Sequence, residues 1–427
     1  MPLLWVYYHG YVDIAYWEWA LGVVYMVVLY TVFARQKNIH IKKHPEYRFY
    51  LWGLIAKIVG GVAFSMIYFY YYAGGDTIAY FYSAVSLSRL AETHPGDYLD
   101  VVFGANDAAH LSLFNDNIGY PFSYVYFDTR SYFLIRIISP IVMLTFHSYL
   151  LTTLTLASIS YVGIWRCYRT MVGYFPSLTN QLAVAFLFMP SVVFWGSAIM
   201  KDTMTLSAAC WWLHCVDEVF FKRRRLTFHT CGLILSAYLL IMMKPYIFMA
   251  LFPVSVLWLL YFQVARIRSM FIKFVFVPMV IALIFGISLY VLQKLGDSLD
   301  KFSLDKAVQT IQTTQSDMVR EDAYSSNRFD VGPIDGSIGG LLAKFPIATN
   351  AALFRPYLWE SRSMVMVLSA LENFWLLGFT LVLLLRTHVR FFFKAISGNP
   401  VALMCIAFSL MFGFFIGIST PNFGALV

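Results

Sequence analysis

The stretch FLFMPSVVFWGSAIMKDTMTLSAACWW, Phe186–Trp212, would be uninterrupted apolar helix but for Lys201 and Asp202, adjacent in its middle. Either the pair marks a water boundary between two helices, or it is held at membrane depth and has a task there. Which reading applies depends on where the membrane faces fall, and that depends on the rest of the chain.

Of the 427 residues, 60% are hydrophobic and 13% charged, with a mean hydropathy of +0.67. A soluble core needs far less apolar surface, so the composition points to an integral membrane protein. Apolar runs of about 18 residues or more recur, as needed to cross a hydrocarbon layer roughly 30 Å thick. Alternating ten-residue strands, the mark of a β-barrel, are absent. The N-terminal MPLLWVYYHG has no basic leading region and no evident cleavage site, so the first helix is expected to act as its own insertion signal. Cys167, Cys210, Cys215, Cys231 and Cys405 lie in or beside apolar runs, which implies neither a disulfide framework nor a metal pattern.

Helices are expected at about 14–34, 50–72, 148–166, 178–198, 203–220, 228–243, 246–264, 274–292, 364–386 and 400–418, with an eleventh re-entrant or interfacial segment at 132–146. The chain thus reads as an all-α polytopic bundle, one transmembrane domain over residues 1–427. Alternate connections, from RQKNIHIKKHPEYR to RTHVRFFFKAISGNP, hold 17 of the 31 Lys and Arg but one of the 23 acids, Glu46. By the positive-inside rule they face the cytoplasm, and both termini face outside. The net charge of +8 therefore follows the membrane and does not imply nucleic acid.

Two long loops fall on the outer side. The first, 73–147, holds aromatic-rich segments suited to interfacial helices; the second, 293–363, is polar and Gly-rich and is expected to form a mobile lid. Lys57, inside a helix, is explained by snorkelling towards the cytoplasmic face. Interfacial belts account for much of the Tyr and Phe excess.

On this topology Lys201 and Asp202 reach the outer face. So do Asp76 in YYAGGDTIAYF, Lys244 in MMKPY, and Arg355, Glu360 and Arg362 in FRPYLWESR; Glu372 lies about two turns deeper and Asn422 follows the last helix. Plainer roles stand beside functional ones. Asp202 and Asp76 can each cap a helix, and Lys244 before Pro245 can simply end one. Glu372 is harder to dismiss, because a carboxylate at that depth costs about 2.5–3.5 kcal/mol unless paired or solvated. Carboxylates beside several Lys and Arg suit an anionic lipid headgroup: cations bind the phosphate and its departing charge, while a carboxylate takes the proton of an attacking hydroxyl.

This pattern resembles the GT-C class of polytopic glycosyltransferases: a carboxylate soon after an early helix, interfacial helices in the first outer loop, and a large outer loop near the C-terminal end. The runs FWGSAIMKD, FRPYLWESRSMVMVLSALEN and STPNFGALV also resemble bacterial surface-polysaccharide membrane proteins, including O-antigen-polymerase-like ones. The resemblance implies Asp76 as catalytic base, with Lys201, Asp202, Lys244, Arg355, Glu360, Arg362 and Glu372 binding substrate. It implies a polyprenyl-phosphate-linked sugar as donor and a glycan or other hydroxyl acceptor, used at the periplasmic or extracellular face of the cytoplasmic membrane. A divalent cation as cofactor is left open. A glycan polymerase, a transporter or flippase, and a structural subunit of an envelope complex are the alternatives. No Walker A, dinucleotide or G-x-S-x-G motif is present, and Cys210, His214 and Cys215 of CWWLHC read as core.

The topology is tested by cysteine labelling. A Cys replacing Ser325 is expected to react with a membrane-impermeant thiol reagent in intact spheroplasts, and one replacing Arg224 to stay unlabelled; the opposite pattern inverts the map.

Overall fold

A computed structural model describes residues 14–265 and 338–419, with 7–8, 11–12 and the single positions 279 and 286. The expected helix 274–292 and most of the expected lid, 293–337, fall outside the described residues, as does Asn422. Apart from an antiparallel pairing of Tyr7–Tyr8 with Tyr11–Val12, every regular element among the described residues is helical. The chain divides into two compact units, residues 1–244 and 245–427, where the sequence suggests one continuous domain.

The first unit begins with α1 (Tyr16–His40) and α2 (Tyr50–Met66, prolonged by a wider turn to Tyr71). Next come α3 (Asp76–Thr93), α4 (Pro95–Phe103), α5 (Ala108–Leu111), α6 (Ser123–Phe127) and α7 (Thr129–Leu144). It continues with α8 (Tyr149–Tyr174), α9 (Thr179–Ala183, prolonged to Phe188), α10 (Pro190–Phe194), α11 (Lys201–Val216, prolonged to Phe221) and α12 (Leu226–Met243). The second unit holds α13 (Pro245–Ala265), α14 (Ile338–Ala343), α15 (Phe345–Phe354), α16 (Met364–Arg386), α17 (Val389–Ser397) and α18 (Pro400–Ser419).

Six helical spans among the described residues are long and apolar enough to cross a membrane: Tyr16–His40, Pro45–Tyr71, Tyr149–Tyr174, Leu226–Met243, Met364–Arg386 and Pro400–Ile418. Pro245–Tyr261 and Phe345–Phe354 are shorter apolar helices. Within the first unit α8 packs against α1, α2 and α11, and α11 against α12; within the second, α18 packs against α13 and α15.

The first expected loop is a packed helical layer. Twelve of the 18 residues of α3 are buried, and α3 lies along α7, with Tyr80, Leu87, Tyr132, Leu134 and Ile138 in one core. Both helices run the same way: Tyr80 meets Ser131 near their N-terminal ends, and Glu92 meets His147 near their C-terminal ends. Leu99 and Phe103 on the following α4 are exposed.

The expected helix 178–198 does not run through. Pro190 has no N–H to give to the preceding turn, and it drives Met189 into extended backbone (φ −60°, ψ 131°). After the single turn of α10 the chain is unwound over 195–200, although Ser197, Ala198 and Ile199 are fully buried. Buried backbone of this kind needs partners outside its own segment.

The face of α2 opposite this break is glycine. A Cβ at Gly60 would overlap the Val193 carbonyl oxygen, and one at Gly61 would sit 2.8 Å from the Ser197 carbonyl. Gly60→Ala is therefore expected to cost about 1–3 kcal/mol through overpacking, read as a lower melting temperature in detergent. An unchanged value would refute the close approach.

Candidate functional site

The unwound segment ends at Met200, which is extended (φ −141°, ψ 152°) and takes the N-cap position of α11. Lys201 and Asp202 are thus the first two helical residues. Successive helix positions lie about 100° apart around the axis, so the two side chains meet different neighbours and do not pair with each other. Asp202 is not the cap that the sequence allows; its partner is elsewhere.

Lys201 turns to the start of α7. Its ammonium donates to Ser131 Oγ at 2.9 Å, lies 3.5 Å from Asp128 Oδ2 and sits 5.7 Å from the centre of the Tyr80 ring. Asp128 caps α7, accepting from the amides of Arg130 and Ser131 at 3.3 and 3.2 Å and from the Ser131 hydroxyl. The buried Tyr80 hydroxyl closes this group, 3.3 Å from Ser131 Oγ. Asp202 turns instead to Lys244, whose ammonium donates to Asp202 Oδ1. Lys244 also ends α12, its backbone N–H bonding to Leu240 O at 2.9 Å. The structural and electrostatic roles coincide in one residue.

Asp76 stands at the first position of α3. The N-cap is Gly75, held at φ +104°, a region where a side chain is strained; a Cβ there would also lie 2.9 Å from the Tyr68 ring. Asp76 is therefore not the capping residue that the sequence allows. Its carboxylate is exposed and acts electrostatically on both Tyr80 and Lys201.

The site thus gathers three carboxylates, two ammoniums and the N-terminal ends of α3, α7 and α11, each carrying the partial positive charge of a helix dipole. Burial alone would raise the Asp128 carboxyl pKa. The Ser131 hydroxyl, Lys201 and the two amides outweigh it and hold the group below the usual carboxylate range. Burial also pushes Lys201 down, opposed by Asp128 and Asp76 and reinforced by Lys244. No group of three or more His, Cys, Asp or Glu among the described residues is arranged to hold a metal ion.

The other expected residues lie in the second unit. Arg355 forms a two-pronged pair with Glu360, Nε lying 3.1 Å from both carboxylate oxygens, and Glu360 Oε2 accepts the Tyr357 amide at 2.8 Å. Burial raises the Glu360 carboxyl, but Arg355 and that amide bring it below its ordinary value. Asn373 on α16 donates to the Arg355 carbonyl at 2.7 Å, fixing the turn to the helix. Arg362 is exposed, and Glu372 is half-buried in the third turn of α16.

Asp128, Ser131 and Tyr80 are the residues that sequence reasoning missed. FDTRS does carry a readable N-cap pattern, an Asp three residues before a Ser at a helix start, but nothing in it points to a lysine 73 positions later. Cys210, His214 and Cys215 are buried as expected, with His214 Nδ1 2.9 Å from Thr170 Oγ1.

No known protein family, curated protein or solved structure matches this chain.

The Asp128 geometry has a pH signature. Its folded pKa lies below the unfolded value, so its stabilisation is complete above the unfolded carboxylate range, near about pH 4, and is lost as pH falls through the lower folded value. Asn keeps the cap but does not titrate. Asp128→Asn is expected to lose less melting temperature than wild type between about pH 5 and pH 3; parallel curves would show that the carboxylate charge is not engaged.

Proposed function

We propose that this protein is a membrane glycosyltransferase of GT-C-like architecture, acting at the outer face of the cytoplasmic membrane on a polyprenyl-phosphate-linked sugar. The observation that supports this reading is the exposed Asp76 at the first position of α3, whose N-terminal end is tied to those of α7 and α11 through Tyr80, Ser131 and Lys201. On this reading a proton acceptor and phosphate-binding cations share one site. Ten or eleven membrane crossings are part of the same reading.

In the reaction, Asp76 accepts the proton of the acceptor hydroxyl. The hydroxyl oxygen bonds to the anomeric carbon as the bond from that carbon to the phosphate oxygen breaks. The departing polyprenyl phosphate keeps the electron pair, and Lys201 and Lys244 stabilise its charge together with the N-terminal end of α11. Lys201 and Lys244 serve this role as donors shared between their carboxylates and the phosphate, each ammonium having three N–H groups. In the second unit, Arg355, Glu360, Arg362 and Glu372 are candidates for substrate contact on their own account.

A transporter or flippase is the second reading, favoured by one observation: the buried break at 189–200, since interrupted helices often build transport sites. Asp76→Asn separates the two. General-base loss typically costs about 10²–10⁴ in rate, so Asp76→Asn is expected to abolish transfer, or the cognate surface glycan, with protein level and donor binding near wild type. A fully active Asn variant would remove the catalytic role and favour transport. For the donor site, hydrogen bonds to charged groups contribute about 1.5–3 kcal/mol. Lys244→Ala and Arg355→Ala are each expected to weaken polyprenyl-phosphate binding about tenfold or more while the protein still inserts, and unchanged affinity in both would leave these side chains as helix-end charges only.

A further inference from the structure

Lys57 lies near the middle of the 27-residue apolar span Pro45–Tyr71. Snorkelling does not describe it. Only 2% of the residue is exposed, and its ammonium points sideways into the break, donating to the carbonyls of Val192, at 3.3 Å, and Gly196. No carboxylate pairs with it among the described residues. A lysine so buried is costly and calls for a function, and its acceptors are the carbonyls of Val192, in the last turn of α10, and of Gly196, in the unwound segment.

Between these carbonyls and the charged pair, several close contacts line the backbone. No side chain fits at Gly196, since a Cβ there would lie 2.9 Å from the Lys57 ammonium and 2.7 Å from Val192 O. Gly61 of α2 closes on the Ser197 carbonyl. The Ala198 carbonyl accepts from the Thr203 hydroxyl at 2.6 Å and from the Met200 amide at 2.9 Å. The next two residues are Lys201 and Asp202.

We infer that Lys57 is a positioning residue for the Lys201 and Asp202 pair. Its N–H donors hold the unwound backbone 195–200 in the path that delivers Lys201 to Asp128 and Asp202 to Lys244. The inference rests on that pair belonging to a working site, but its test reads geometry and not turnover.

The test uses the full chain in native membranes, with the exposed Cys231 and Cys405 replaced by Ser and with Asp202→Cys and Lys244→Cys introduced together. Mild oxidation should join the two new thiols, read as their loss from a maleimide-polymer gel shift. Small misplacements cost such geometry-dependent reactions on the order of a hundredfold, so Lys57→Met is expected to cut the disulfide yield at fixed time about tenfold or more. Lys57→Arg keeps the charge and the donors and should retain about half the yield or better. Gly196→Ala disturbs the same contact from the other side, is expected to lower the yield likewise, and decides the matter if Lys57→Met does not fold. Parental yield in a monodisperse Lys57→Met or Gly196→Ala protein would overturn the inference. A fully active Asp76→Asn enzyme would defeat the glycosyl-transfer reading and leave the crosslinking result untouched, so the two failures are distinguishable.

Discussion

A buried carbonyl without a donor is among the most expensive features a membrane protein can carry, because no water is present to replace the lost bond. Residues 195–200 place several such groups inside the first unit, between two helices. Three elements meet the demand: the Lys57 ammonium, the Thr203 hydroxyl and the glycine face of α2, which lets the backbones touch. Once the break is satisfied in this way, α11 must begin at Lys201, and its first turn must face the starts of α3 and α7. The site is a result of where a helix could not continue.

The electrostatics at that point are nearly balanced. Asp76, Asp128 and Asp202 bring three negative charges and Lys201 and Lys244 two positive ones, while three helix N-termini each add about half a positive charge. On the proposed function, a phosphate would compete with Asp128 and Asp202 for the same ammoniums, and its affinity would depend on how readily those pairs loosen. The same balance sets Asp128 and Asp76 against the burial that pushes the Lys201 pKa down.

Much of the helical framework was legible from apolar runs. The helix at 364–386 coincides with its expected range, and those at 50–71, 226–243 and 400–419 differ from it by a residue or two. The polar interruptions Lys201, Asp202 and Lys244 stood out for the same reason. The partners did not. Hydropathy gives no information about which of three Asp a lysine will meet, and Asp128 and Lys201 are far apart in the chain. Pro190 was visible too, yet a proline inside an apolar run can kink a helix or end it. The outcome here depends on Lys57, Gly60 and Gly61, over a hundred residues upstream. Lys57 itself was misread because snorkelling considers only depth along a helix, while its actual acceptors lie across the helix packing.

Lys201 and Asp202 are adjacent in the chain yet committed to different elements, one to α7 and the other to the end of α12. That arrangement keys α11 at two angles around its axis, like a shaft seated in two slots. A screw motion of α11 large enough to free one ion pair also displaces the other. Energetically the two pairs form one unit, and loosening either is felt at the other through a rigid turn of helix rather than through space.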